Sequence, residues 1–393
     1  MEGFSLLSVR GYIRGCSYVV LWYGSILLGF CFLYAPTLPL LLISRFYYRR
    51  TTDLLFSSWE AFNTTLLELV YGVEIVLTGD SIKETEDSLI VVNHPTRTDW
   101  NFLWPALFHA SPSHNTKIVL KEELRKIPGM GWIMAMSRFI YLRRNWSQDS
   151  QTLDKMMDYY QDTREEGARQ ILLFPEGTNL SQSSAKKSDE YAVKNNLNKY
   201  NHVLHPRTSG FVHIAHGLRE RNLLSSIYSL TIAYPDTVPK TEVGLLKGNL
   251  PRQVHVHIVR YPLDQVPSTF VGLEKWIQEV WRDKEKLLER FQETKEFIPL
   301  TQEQRLPCRT QTLQPMCLVA WFLFLYWGLC SVFTVCGILW ILLVSSILVY
   351  TEHYTPGIQN IELKLHYRGS DSRIKTKNTE EESQDDFEHV KDN

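Results

Sequence analysis

The sequence predicts an α/β protein, a layered βαβ domain anchored by transmembrane helices at its N-terminal and C-terminal ends. Two apolar runs, Leu89-Ile-Val-Val-Asn93 and Gln170-Ile-Leu-Leu-Phe174, are each stopped by a proline turn carrying a titratable side chain. Parallel sheets present functional groups in this way, at the carboxyl ends of their strands. Between the two runs Leu153, Met156, Met157 and Tyr160 recur at i, i+3, i+4, i+7, the stripe of a helix that covers a sheet. Finally, residues 16–43 and 316–350 are long, uncharged and apolar. With 44% hydrophobic residues and a mean hydropathy of −0.19, the 393-residue chain is too polar for a many-spanning transporter. A soluble-type core with a few spans fits better.

The uncharged stretch Cys16 to Ile43 exceeds the roughly 20 apolar residues that a span needs and is too long for a signal-peptide core. Pro36 and Pro39 imply that its first part spans while Leu38 to Ile43 bends along the interface. Arg10 and Arg14 precede it and Arg45, Arg49 and Arg50 follow, a charge bias that leans only slightly toward a cytosolic domain downstream. Asp53 to Val76 has helical spacing and runs into a strand, Val73 to Asp80, and Glu84 to Asp87 form an acidic loop. After the Leu89 strand, a mostly apolar helix begins at Asp99. Lys117 to Lys121 reads as a strand, Glu122 to Met136 as a helix broken at Pro128 to Gly131, and Phe139 to Arg144 as a further strand. The helix that covers the sheet runs from Ser147 to Glu166.

Residues 179 to 202 are polar and rich in lysine (Lys186, Lys187, Lys194, Lys199), the composition of a loop or short helix. They read either as a solvated face or as an electrostatic collar for anionic groups. His255 and His257 alternate on a strand; with no third ligand in view they read as exposed strand residues. Leu273, Trp276, Ile277, Val280, Leu287, Leu288 and Phe291 mark an amphipathic helix whose other face carries Glu274, Lys275, Arg282, Asp283 and Lys284. Packing on the sheet is its expected place. Met316 to Tyr350 is long for one span and tight for two, and a short hairpin turning near Cys330 to Gly337 is the expectation. Ser370 to Asn393 is polar, ends acidic and is expected to be disordered.

Five of the six cysteines (Cys16, Cys31, Cys308, Cys317, Cys330, Cys336) lie in or beside the apolar stretches, and no pair has zinc or redox spacing. Neither disulfides nor a metal are expected. Net charge is −1, but residues 351–393 hold 6 basic and 10 acidic residues, leaving the remainder at +3. That mild excess suits phosphate-bearing substrates or a lipid surface, and no basic and aromatic interleaving marks a nucleic-acid binder. Asn63, Asn145 and Asn179 begin N-glycosylation sequons. All three are read as unmodified, the last because a glycan there would obstruct the Phe174-Pro-Glu-Gly-Thr178 turn.

His94 sits where the Leu89 strand ends, and Asp99 lies in the first turn of the following helix. A histidine so placed can meet the carboxylate, which fixes the tautomer and stabilises the imidazolium formed when the other nitrogen takes a proton. A lone His and Asp at this spacing is no more than a surface turn; the second strand, ending in Phe174-Pro-Glu-Gly-Thr178, changes that reading.

Asn93-His94 with Asp99 resembles the NHxxxxD block, and Phe174 to Thr178 the FPEGT block, of the glycerolipid acyltransferases that esterify lysophospholipids from acyl-CoA. Val203-Leu-His-Pro-Arg207-Thr-Ser-Gly-Phe211, Thr231-Ile-Ala-Tyr-Pro235 and Leu250 to His257 resemble the lysocardiolipin and lysophosphatidylinositol branch. The likeness runs from about residue 18 to about residue 350. It implies His94 as general base and Asp99 as its orienter. It also implies Glu176, Gly177 and Thr178 as shapers of the acceptor pocket, with backbone N–H groups near Gly177 as one option for oxyanion donors. An arginine that binds the acceptor phosphate matches Arg144 best, with Arg143 close behind. Relatives often carry an arginine directly after FPEGT; here Asn179 stands in its place, which leaves Arg207 as a substitute.

The implied organisation is an N-terminal anchor (1–50), the acyltransferase catalytic domain (51–265), an amphipathic helical extension (266–315), a transmembrane hairpin (316–350) and a polar, acidic-ended tail (351–393). Acyl-CoA is the expected co-substrate, with no cofactor. The expected acceptor is lysophosphatidylinositol or lysocardiolipin, with lysophosphatidic acid as the broader option, in phospholipid remodelling at the endoplasmic reticulum. The absence of an Arg/Ser-rich transit segment turns the reading from mitochondria, although a mitochondria-associated membrane is the alternative. A CoA-independent phospholipid transacylase and a non-catalytic lipid-binding scaffold are the rival readings. Headgroup, sn-position and acyl-chain preference, and the oligomeric state, stay open.

Overall fold

The computed structural model describes residues 6–110, 116–164, 167–298, 314–355 and 357–367. Leu6–Gly29 form the first helix, α1, and the chain stays helical through a widened turn and the Pro36 and Pro39 turns to Ile43. Helix α2 (Arg45–Thr65) then leads into strand β1 (Glu74–Gly79). Six strands follow: β2 (Ser88–Val92), β3 (Thr116–Lys121), β4 (Ile140–Leu142), β5 (Gln170–Leu173), β6 (Ser226–Ala233) and β7 (Gln253–Pro262). The helices between them are α3 (Asp99–Ala110), α4 (Met130–Met136), α5 (Trp146–Asp162), α6 (Gln182–Lys194), α7 (Thr208–Glu220) and α8 (Glu242–Leu246). Beyond β7 come α9 (Phe270–Thr294), α10 (Gln314–Val332), α11 (Val335–Tyr354) and α12 (358–367).

One seven-stranded sheet in the order β1-β7-β6-β2-β5-β3-β4 runs through the molecule. Five strands are mutually parallel, and only the β6–β7 pair is antiparallel, so β7 and β1 point the other way. Central β2 explains the layering: all five residues are buried, with Ile90 and Val92 facing one core and Leu89 and Val91 the other. A strand buried on both faces needs apolar residues along its length, and after Ser88 at its start the four residues Leu89 to Val92 supply them. The first core is filled by α1, α2, α3 and the C-terminal apolar helices through Phe30, Phe56, Phe62, Trp104 and Trp321. The second is filled by α5, α7 and α9 through Met157, Phe211 and Trp281.

Among the described residues, three helices, Val9–Ile43, Gln314–Val332 and Val335–Glu352, are long and apolar enough to cross a membrane. The last two form the expected hairpin, turning where the Thr334 hydroxyl accepts the Gly337 N–H at 3.0 Å and caps α11.

Several expectations change. Residues 182–194, expected as a loop or short helix, form a full helix started by a Ser181–Ser184 capping box. His255, expected to be exposed, is buried at 2% against Phe291 and Phe297, because α9 covers that face of β7. His257 is also partly covered and its Nδ1 bonds the Thr78 hydroxyl at 3.0 Å. Lys284, assigned above to the charged face of α9, is 3% exposed. The start of the expected polar tail is helix α12, which lays Ile358, Gln359 and Glu362 into the protein interior. The disorder expected for 370–393 lies outside the described residues, as do Cys308 and residues 299–313 of the helical extension. Asn63 is fully buried on α2, which leaves no room for a glycan.

Candidate active site

Five parallel strands point their carboxyl ends to one edge of the sheet, and the turns that follow them hold the groups singled out in the sequence. Asn93, just past β2, locks the turn: its Nδ2 donates to the Ile232 carbonyl at 3.1 Å and its Oδ1 accepts the Ile232 N–H at 2.8 Å. This clamp to β6 explains why the histidine is preceded by an amide side chain. His94 follows, 18% exposed, with Nδ1 3.0 Å from Asp99 Oδ2 and its ring lying on Phe174 at a centroid separation of 4.6 Å.

Asp99 is completely buried. Its Oδ2 also accepts the Thr96 N–H at 2.7 Å, while Oδ1 accepts the Thr96 hydroxyl at 2.6 Å and the Tyr234 hydroxyl at 2.7 Å. Four donors on two oxygens keep the carboxylate in one orientation, satisfied without water. Burial, and then Asp99 itself, push the Tyr234 hydroxyl well above its ordinary pKa, so Tyr234 stays a donor. With Nδ1 engaged, His94 has Nε2 available for a proton.

The second turn closes against the first. Glu176 Oε1 accepts the His94 backbone N–H at 3.2 Å and the indole N–H of Trp281 at 3.3 Å, while its buried Oε2 has no partner among the described residues. Burial pushes the Glu176 carboxyl up to about 8, opposed by the nearby Leu204 N–H, which lies outside hydrogen-bond geometry, by the His94 and Trp281 donors and by the charge of Lys284. Lys284 is correspondingly pushed down by burial to about 7, its Nζ donating to the Leu230 carbonyl at 2.6 Å and to Thr231 Oγ1 at 3.1 Å. Gly177 sits at φ +69°, and a Cβ there would meet the Arg207 side chain at 3.1 Å. Its N–H closes the turn on the Phe174 carbonyl at 3.0 Å, which removes it from the candidate oxyanion donors. Thr178 lines the adjoining cavity.

Arg144, just past β4, donates from Nη2 to the Gly177 carbonyl at 3.1 Å. Arg143 turns away toward Glu122 at 3.8 Å, so that of the two arginines Arg144 is the one on the Gly177 turn. Lys121, at the end of β3, joins them: burial lowers its pKa, and Arg144, Arg97 and Arg207 lower it further. Arg144 and Arg207 thus meet at Gly177, with Lys121 within electrostatic reach and Arg97 farther out, exposed and paired with Glu242 at 3.3 Å; an anion at the turn would be stabilised.

Lys121, Arg97, Tyr234, Trp281 and Lys284 escaped the sequence reading as site residues. Only the α9 pair left a signal: Lys284 occupies a regular position of the stripe Ile277, Val280, Trp281, Leu288, Phe291, where a solvated lysine does not belong. A larger cleft of about 640 Å³, between Arg14, Tyr71 and Arg252, includes none of the catalytic-turn groups. Among the described residues, no cluster of three or more His, Cys, Asp or Glu could hold a metal.

The family model described as Acyltransferase matches residues 74–234, which contain both turns, and that described as Acyltransferase C-terminus matches residues 244–323. The chain belongs to the glycerolipid acyltransferase family. This acyltransferase is 40% identical over 299 residues to lysocardiolipin acyltransferase 1 of Gallus gallus, covering 76% of this chain and 79% of that one. It is 43% identical over 289 residues to the Danio rerio protein of that name, covering 74% and 73%. Lysophosphatidylinositol acyltransferase 10 of Caenorhabditis elegans is 40% identical over 247 residues, covering 62% of this chain and 63% of its own. Membership makes the chain an O-acyltransferase, and the match to the C-terminal model takes in α9, whose Trp281 braces the second turn and whose Lys284 bonds β6 beside it.

Proposed function

We propose that the protein moves a fatty acyl group from acyl-CoA to a free glycerol hydroxyl of a lysophospholipid, with lysophosphatidylinositol or lysocardiolipin preferred over lysophosphatidic acid. The observation that carries the chemistry is the His94–Asp99 pair, in which a buried, four-donor carboxylate holds Nδ1 and frees Nε2. Nε2 takes the acceptor's hydroxyl proton as that oxygen attacks the thioester carbonyl. The tetrahedral intermediate collapses, the C–S bond breaks, and the imidazolium returns its proton to the leaving CoA thiolate. General-base help of this kind contributes roughly 10²- to 10⁴-fold, so holding both substrates in line must supply much of the rest. Arg144, Lys121, Arg97 and Arg207 are suited to the acceptor's phosphate, and no prosthetic group is required. The printed names of the relatives support the acceptor class. The three apolar helices support action at a membrane, for which we favour the endoplasmic reticulum with the site facing the cytosol, where acyl-CoA is found.

The test is incorporation of labelled acyl chains from acyl-CoA by membranes bearing the full chain, with the three lysolipids as acceptors and His94→Ala beside them. Activity that needs the thioester and falls at least 10³-fold in His94→Ala is the expected result. Transfer between phospholipids without acyl-CoA would point to a transacylase, and no transfer by folded protein would remove the enzyme reading.

A further inference from the structure

A cavity of about 370 Å³ opens beside the second turn, between α6 and residues 204–208; neither His94 nor Asp99 lines it, and of the four cations above only Arg207 does, at its edge. Its size is that of a small-molecule site. One wall is Glu176, 3% exposed, whose Oε2 is buried without a hydrogen-bond partner. The opposite wall is α6, with Lys187, Ser188 and Tyr191. Lys199 is held by Asp189 at 3.5 Å, but among the described residues neither Lys187 nor Arg207 has a carboxylate partner. The Ser188 hydroxyl oxygen accepts the His205 N–H at 3.0 Å, which leaves its own proton to donate. Arg207 stands between this cavity and Arg144, its side chain lying over Gly177.

We propose that this cavity seats the polyhydroxylated headgroup that the acceptor carries beyond its glycerol phosphate, and so selects headgroup. The inference rests on the acyltransfer reading above and extends it to a separate subsite. With the reacting hydroxyl at His94 and the phosphate at the Arg144 and Arg207 side, the group esterified to the far side of that phosphate falls against α6. A ring bearing several hydroxyls, such as inositol, needs acceptors and donors spread around it, and the cavity offers Glu176, Ser188, Tyr191 and the Lys187 ammonium. A neutral Glu176 carboxyl, as its raised pKa favours, neither repels the phosphate nor lacks a proton to donate. The adenosine phosphates of CoA are the other anionic, hydroxyl-bearing candidate. They are separated from the thioester by the whole pantetheine arm, so a cavity walled by the residue that bonds the His94 backbone lies too near the reaction to receive them.

The test compares Lys187→Ala and Tyr191→Phe with the unaltered full chain in mixed micelles. Loss of one charge-assisted contact is expected to raise KM for lysophosphatidylinositol about tenfold in Lys187→Ala at nearly constant kcat, with KM for lysophosphatidic acid and for acyl-CoA unchanged. A second arm uses His94→Ala protein, which cannot turn over. Glycerophosphoinositol should bind it, and Lys187→Ala in that background should weaken this binding about tenfold while leaving glycerol 3-phosphate binding alone. Equal shifts for both lysolipids, no shift for either, or a rise confined to acyl-CoA would overturn the headgroup assignment. Absence of acyl transfer by the unaltered chain would count against the reaction instead, and the binding arm would still decide the subsite.

Discussion

At the amino ends of β3 and β4 the Asp53 carboxylate touches two cations, whereas at the carboxyl ends of β2 and β5 the Glu176 carboxyl is held by N–H groups alone. Asp53 meets Lys117 Nζ at 2.9 Å and the Arg138 guanidinium, and α12 adds Glu362, which accepts the Tyr159 hydroxyl and lies 4.0 Å from Arg138. Burial pushes Asp53 up, but Arg138 and Lys117 outweigh it and hold its carboxyl below the usual range. For Glu176 the balance reverses: burial outweighs every favourable contact and the group titrates at about 8. The same sheet therefore buries carboxyl groups in two ways. Where an opposite charge is in contact the ion survives dehydration, and where only N–H dipoles touch the carboxyl and the Lys284 cation acts from beyond contact, the neutral form gains. The first arrangement ties elements together, and the second leaves a group able to change its protonation near neutral pH.

The contrast breaks most sharply at Asp99, a buried carboxylate held against His94 and proposed to orient it as the base. Asp99→Asn keeps the shape but offers Nδ1 the wrong partner, and kcat should fall on the order of 10³-fold or more with the unfolding temperature little changed. A loss below tenfold would deny Asp99 the orienting role. At the other end of the sheet the effect should appear in stability. Arg138→Met leaves Asp53 and Glu362 buried without their shared cation, and detergent-solubilised protein should lose about 3–5 kcal/mol in chemical unfolding while turnover per folded molecule stays near normal. Combined with Asp53→Asn the loss should be less than additive, because both changes remove the same pair.

How much of this was visible in the sequence follows the same division. Strand β2, its turn and the β5 turn were legible because local signals coincide: an apolar run, a proline stop and a polar residue at the break. Six of the seven sheet strands and the apolar hairpin were found by such local patterning. The Asp53–Lys117–Arg138–Glu362 cluster was not, because its members come from α2, β3, the approach to β4 and α12, and nothing local marks a lysine at the start of a strand as buried. Helix α12 was missed for a similar reason. Ile358, Ile361, Glu362 and Leu365 have helical spacing, but a polar, charged surrounding hid a carboxylate that only tertiary contact makes structural. Of the cations proposed for the acceptor phosphate, Arg144 was singled out through its block, while Lys121 needed the sheet order that sets β3 beside β5 and β4.

A smaller effect is expected where α9 meets the second turn. Trp281→Phe removes the indole N–H that Glu176 accepts at 3.3 Å and preserves most of the packing. One such bond is worth about 1 kcal/mol, so kcat should drop roughly fivefold with KM for both substrates nearly constant. A rise in KM at unchanged kcat would mean that the brace serves binding, not the placement of His94.

The smallest and most discriminating change is Glu176→Gln, which keeps the acceptor oxygen for His94 and Trp281 but cannot ionise. A carboxyl whose folded pKa stands at about 8 against an ordinary 4.5 binds more protons in the folded state than in the unfolded one. Its contribution to stability is therefore fully present below the ordinary value and is lost as pH rises toward 8. Lys284 works in the opposite sense, since its lowered folded pKa of about 7 makes stability rise with pH only above that point. Between about pH 5 and 7 the Glu176 effect stands alone. Across that window the unfolding temperature of the unaltered protein should fall relative to Glu176→Gln, and the gap should level off above about pH 8, because Lys284 titrates in both proteins. Parallel curves from pH 5 to 7 would show that Glu176 is already ionised, as Asp53 is, and the difference between the two ends of the sheet would then lie in geometry alone.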